Sequence, residues 1–77
     1  MKLIEAVSRR TVYLLNSKNY TQYRLCKEGG IPKPSLFHIV NADKNDVKLS
    51  SIWAIADTFG MSLKEFFDDP VFSEVED

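Results

Sequence analysis

The chain has 77 residues, 44% of them apolar, with ten lysines and arginines against eleven aspartates and glutamates, a composition that suits one small folded domain and is too short for two. Cys26 is the only cysteine, which excludes an intramolecular disulfide and any cysteine-based zinc set and fits a reducing cytoplasm. The longest apolar run, residues 52–56, is far short of a membrane span, and Glu5, Arg9 and Arg10 interrupt the stretch where a leader needs an unbroken apolar core.

The net charge of −1 conceals a split: residues 1–64 hold all ten bases and five acids, a balance of +5, whereas residues 65–77 hold six acids and no base, a balance of −6. Such an asymmetry fits contact with nucleic acid through a basic body carrying an acidic, solvating end. Solubility alone explains it equally well.

No alternation long enough for a strand occurs, and spacing with stop signals predicts five helices. The first covers residues 2–17, with Leu3, Val7 and Leu14 beside Ile4, Thr11 and Leu15 as adjacent apolar stripes, and breaks at Ser17-Lys18-Asn19. Thr21 is placed to cap a second helix, with Tyr20 and Leu25 at staple positions, and Gly29-Gly30 ends it within two turns. The third runs from Pro34 to Asn41: Pro34 pushes Lys33 out of the helical region, and its own missing N–H is harmless in a first turn. A polar connection leads to a fourth helix at residues 49–59, where Leu49, Ile52, Trp53 and Ala56 share a face expected to be buried. Gly60 closes it. Ser62 and Glu65 then form a capping box with Met61 and Phe66 as a staple, and this fifth helix stops near Pro70. Residues 1–69 thus make the domain and residues 70–77 an acidic tail, whose Val71, Phe72 and Val75 are suited either to cover the first helix or to join a dimer contact.

Catalysis finds no support. His38 is the sole histidine, no serine or cysteine sits in a nucleophile motif, the carboxylates crowd into the tail, and Gly29-Gly30 lacks the spacing of a phosphate loop. No cofactor, metal or small-molecule ligand is implied. The informative unit is a pair of short helices joined by a tight glycine turn. At 100° per residue, Leu36, Ile39 and Val40 fall on one side of the third helix and Pro34, Phe37, His38 and Asn41 on the other, with Ser35 flanking. A helix so short is unstable alone, so its apolar side docks on the second and fourth helices and its other side, with Lys33 at the tip, faces outward. That shape fits a major groove, which admits one helix with its N-terminal residues at the base edges.

The segment TQYRLCKEGGIPKPSLFHIVN followed by LSSIWAIADTFGMSLKEFF resembles the lambda-repressor/Cro class of helix-turn-helix domains, the XRE-type bacterial and phage regulators, over residues 9–67. Thr21-Gln22, Leu25, Gly30-Ile31, Leu36, Ile39, Ile55-Ala56-Asp57 and Gly60-Met61-Ser62-Leu63 carry the likeness by their ordered spacing. The resemblance implies an all-α, compact five-helix lambda-repressor-like domain whose second and third helices form the helix-turn-helix. It also implies a transcriptional regulator, most simply a repressor, that binds double-stranded DNA as a homodimer on an inverted repeat.

Carried over by position, Gln22 matches a glutamine that contacts phosphate and supports the reading helix. Lys33, Pro34, Phe37 and His38 match base-facing positions flanked by Ser35, and Asn41 and Lys44 match positions that touch the DNA backbone. Lys33 suits guanine or a phosphate, and His38 a base, a phosphate or neither. Phe37 suits a thymine methyl, a dimer contact or the domain's own surface. Cys26 stands where a small core residue is usual, Trp53 and the other aromatics read as core, and Arg9, Arg10 and Arg24 read as phosphate contacts or plain surface charge. Pro32 replaces the usual Ser or Thr cap, and Pro34 offers no hydrogen bond to a base, so one subunit is expected to have modest specificity. The runner-up is a protein-interaction module of the same fold, an antirepressor or toxin-antitoxin component, anchored by Phe37.

Overall fold

A computed structural model describes residues 1–76, which form five α-helices and one 3₁₀ turn with no strand among them. Helix α1, Leu3–Lys18, buries Ile4, Val7, Thr11, Leu14 and Leu15, and ends where Asn19 takes a left-handed conformation and caps it. Leu3, placed in the apolar stripe by spacing, lies at the helix's first position and is exposed.

Helix α2, Gln22–Gly29, starts where the Thr21 hydroxyl accepts from the Arg24 N–H at 3.1 Å, as its sequence predicts. It stops at Gly30, whose φ of +64° glycine adopts without the steric cost a side chain brings, and which lets the Ile31 N–H reach the Cys26 carbonyl at 3.1 Å. Helix α3, Lys33–Asn41, begins one residue earlier than expected, with Pro34 at its second position and Pro32 capping without a side-chain acceptor. The first four N–H groups of a helix have no partner inside it, so the proline costs no bond there.

Helix α4, Leu49–Thr58, corrects the expected burial. Ile52, Ile55 and Ala56 are buried, with Phe59 beyond, while Leu49 is 59% and Trp53 54% exposed. Periodicity identified an apolar arc correctly, but α2 and α5 cover only the part of that arc centred between Ile52 and Phe59; α3, expected to dock on α2 and α4, packs chiefly on α1 and then on α2. Helix α5, Leu63–Phe67, carries the predicted capping box, with the Ser62 hydroxyl accepting from the Glu65 N–H and the Glu65 carboxylate from the Ser62 N–H. The Ser62 N–H, and after it the Ser62 hydroxyl, hold the Glu65 carboxyl below its ordinary pKa.

Arg10, read from sequence as surface charge or a phosphate contact, is buried. Its Nε donates to the Phe66 carbonyl at 2.8 Å, Nη2 to the Glu65 carbonyl at 3.0 Å, and Nη1 pairs with Asp69 at 3.2 Å. The carbonyls at the end of α5 carry partial negative charge, and of these two only the Glu65 carbonyl has a backbone donor, the Asp68 N–H at 3.2 Å, so a guanidinium fork fits them. The 3₁₀ turn Pro70–Glu74 then packs back on α1, with the Phe72 ring 4.9 Å from Phe67 and 6.0 Å from Phe66. The α-amino group of Met1 donates to the Glu74 carbonyl at 2.9 Å, and the Glu76 N–H to the Met1 carbonyl at 3.1 Å. Residues 70–74 thus cover α1, one of the two roles open to the tail. No helix of the described residues is long and apolar enough to cross a membrane.

Candidate nucleic-acid interface

The α2–turn–α3 unit is fixed from behind. Leu25, Ile31, Leu36 and Ile39 all lie in the common core, so the turn at Gly30 holds α3 against the body while its other side stays open. On that open side Lys33, Pro34, Phe37 and Asn41 are exposed, and Ser35 and His38 are half-buried. Val40, expected among the docked residues, is half-buried against the core.

Two grooves flank the N-terminal end of α3. The first, about 190 Å³, lies between α2 and α3 and joins Gln22, Tyr23, Cys26, Lys33, Leu36 and Phe37. The Lys33 ammonium sits 5.3 Å from the Tyr23 ring centre, a distance at which a ring face attracts a cation. The Gln22 side chain makes no hydrogen bond among the described residues, so its amide is free to meet an outside acceptor. Burial raises the Cys26 thiol pKa, and the nearby Lys33 charge offsets this only in part. Cys26 is therefore a neutral packing residue, as expected.

The second groove, about 350 Å³, lies between α3 and the start of α4, with Pro34, Ser35, His38, Lys44, Lys48 and Ser51 on its walls. His38 Nδ1 is 2.7 Å from the Asp43 carboxylate, which fixes the ring and ties α3 to the connection after it. Asn41 lines neither groove; its amide nitrogen donates to the Phe37 carbonyl at 2.8 Å, inside its own helix. The predicted residues thus fall into two sets, Gln22, Lys33 and Phe37 on one wall and Ser35, His38 and Lys44 on the other, with Pro34 between them and Asn41 apart.

Arg24 is engaged elsewhere. Its Nε pairs with Glu28 at 2.7 Å, its guanidinium lies 3.9 Å above the Tyr20 ring, and the Tyr20 hydroxyl donates to Glu28 at 2.8 Å. This cluster lowers the Glu28 carboxyl pKa, chiefly through the Arg24 hydrogen bond, and raises those of Tyr20 and Arg24 through Glu28. Two groove residues escaped the sequence reading. Tyr23, 61% exposed, was signalled only by its place directly after Gln22, and Lys48 by its place at the mouth of α4. No group of three or more His, Cys, Asp or Glu among the described residues is able to hold a metal.

The surface so defined has the form of a helix-turn-helix unit: an outward helix end with basic and amide donors and a rigid apolar backing. Comparison with known families agrees, since the Helix-turn-helix family model matches residues 13–66. The chain belongs to the lambda-repressor/Cro, XRE-type helix-turn-helix family of DNA-binding regulators. Searches of curated proteins and of solved structures gave no significant match.

Proposed function

We propose that the chain is a sequence-specific double-stranded DNA-binding transcriptional regulator, most simply a repressor, acting in the cytoplasm without catalysis, cofactor or small-molecule ligand. Helix α3 enters the major groove, and two copies read an inverted repeat. The observation that carries this reading is the convergence of Gln22, Lys33 and Phe37 on one open groove at the N-terminal end of α3. Lys33 supplies a charged donor to guanine or phosphate, Gln22 an amide to a phosphate at the start of α2, and Phe37 an apolar surface for a thymine methyl. Ser35, His38 and Lys44 on the second groove, with Asn41 at the far end of α3, are assigned to flanking base and backbone contacts. Two subunits offset the small number of polar readers left by Pro34.

Selection from a random duplex library with the purified protein tests the reading, and enrichment of an inverted repeat is expected. Lys33→Ala and Gln22→Ala should each weaken the selected duplex by roughly 1–3 kcal/mol without changing the melting transition. A second reading, a protein-interaction module, is favoured by the exposure of Phe37 and Tyr23 on the same wall. Its signature is no enriched sequence and a contact that barely responds to salt.

A further inference from the structure

Tyr23, the second residue of α2, belongs neither to the core nor to the half-buried residues packed against it, so burial does not account for its ring. What the ring meets is Lys33, the first residue of α3, across the groove that both share with Gln22 and Phe37.

Lys33 combines a stiff backbone with a loose side chain. Pro32, at φ −57°, and Pro34 bracket it, so the main chain on either side has little freedom. Its flexible four-carbon stem keeps its own freedom, because Lys33 stands in no ion pair among the described residues. An acceptor on a partner must immobilise that stem, and the lost freedom opposes binding. A ring face restrains an ammonium without cancelling its charge, whereas a carboxylate would do both. Arg24 shows the other arrangement: its guanidinium lies 3.9 Å above the Tyr20 ring, but Glu28 at 2.7 Å meets its charge within the fold. Lys33, 5.3 Å from the Tyr23 ring centre, is steadied and still cationic, with N–H donors left for an outside acceptor.

We infer that Tyr23 is a positioning residue for DNA recognition: its ring holds the Lys33 ammonium at the mouth of the α2–α3 groove, ready for an acceptor on the duplex, an inference that rests on the DNA-binding reading above. The ring face carries the effect and the hydroxyl does not, since the hydroxyl makes no hydrogen bond among the described residues. At an exposed site such a contact changes affinity by about 2- to 5-fold per subunit, less than the loss of Lys33 itself.

Titration of a half-site duplex, which one copy occupies, tests this at about 50 mM salt with Tyr23→Phe and Tyr23→Leu, each alone and combined with Lys33→Met. Tyr23 is 61% exposed, so all forms should keep the wild-type melting transition. Tyr23→Leu should bind about 2- to 5-fold more weakly, and Tyr23→Phe, which keeps the ring face, should bind as wild type does. In the Lys33→Met background the change to leucine should have no further effect. A residue that merely shaped the groove would still show its loss there, so a loss that persists without Lys33 overturns the inference. It is also overturned if Tyr23→Phe is as weak as Tyr23→Leu, or if Tyr23→Leu binds as tightly as wild type or tighter, the last meaning that the ring withholds the ammonium from DNA. Wild type binding the duplex while Tyr23→Leu matches it removes this inference and leaves the DNA-binding reading standing, whereas no duplex binding by wild type removes the DNA reading itself.

Discussion

Arg10 joins the first helix to the last through three donors. Without it the Phe66 carbonyl at the helix end would lose its donor, the Glu65 carbonyl would keep only the Asp68 N–H, and Asp69 would keep its charge beside a half-buried surface with only the Val71 N–H against it. Arg10→Met keeps much of the side-chain volume and removes all three bonds, so unfolding in urea should show a loss of about 2–3 kcal/mol. Glu65 gives a prediction in pH. Its carboxyl is held below its ordinary value by the Ser62 N–H and hydroxyl contacts, so between the folded and unfolded pKa values the unfolded chain binds more protons. The stabilisation is complete above the unfolded glutamate value of about 4.3 and is lost as pH falls through the lower, folded one. Glu65→Gln retains an acceptor for the box but no proton to gain, and melting curves from neutral pH to pH ~3 should show a shallower fall in Tm for the variant than for wild type. An identical acid slope in both proteins would show that the box does not govern this titration.

Helix α2 approaches α4 most closely at Gly29. A Cβ built there falls 2.7 Å from the Thr58 hydroxyl and 3.1 Å from Ile31 Cδ1, and the hydroxyl is itself anchored on the Ala54 carbonyl at 2.7 Å. Gly29→Ala gains helix propensity but must displace that oxygen, so a net loss of about 1–2 kcal/mol is expected, and Thr58→Ala should rescue it in the double variant beyond simple additivity. Elements of this kind mark what sequence conveys and what it withholds. The Ser62–Glu65 box, the Thr21 cap and the Gly30 turn are closed by partners within five residues, so spacing alone reveals them. Arg10 shares the stripe of Leu3, Val7 and Leu14, which Arg9 does not, but the groups that bind it lie 55–59 residues away, so spacing places it on the inner face without revealing what satisfies it there. The same limit applies to α4: periodicity says that Leu49 and Trp53 share an apolar arc with Ile52 and Ala56, but only the positions of α2 and α5 decide which part of the arc is covered. At the candidate site Gln22, Lys33 and Phe37 were legible because they sit at fixed offsets from the Gly30 turn. Tyr23 and Lys48 were not, since their place depends on how α2 and α4 flank α3.

On the scale of the whole molecule the charge split becomes a measurable quantity. Among the described residues the acids from Glu65 to Glu76 lie on α5 and after it, while Lys33, Lys44 and Lys48, with Asp46 among them, line the two grooves beside α3. A net charge near zero therefore does not oppose duplex binding, because the phosphates meet the local excess. If each of those three lysines neutralises one phosphate, a dimer releases about six counterions, and the logarithm of affinity should fall against the logarithm of salt with a slope of about −5. Between 50 and 200 mM salt that is a loss of roughly a thousandfold. The slope also counts subunits: a single copy on a half-site should give about −2.7. Each Lys→Ala change should in turn flatten the dimer slope by about 2, one unit per subunit. Titrations at four or five salt concentrations check all of this at once. A slope near zero would assign the Phe37–Tyr23 wall to a protein partner, and a slope near −2.7 in the wild type would place one copy, not two, on the DNA.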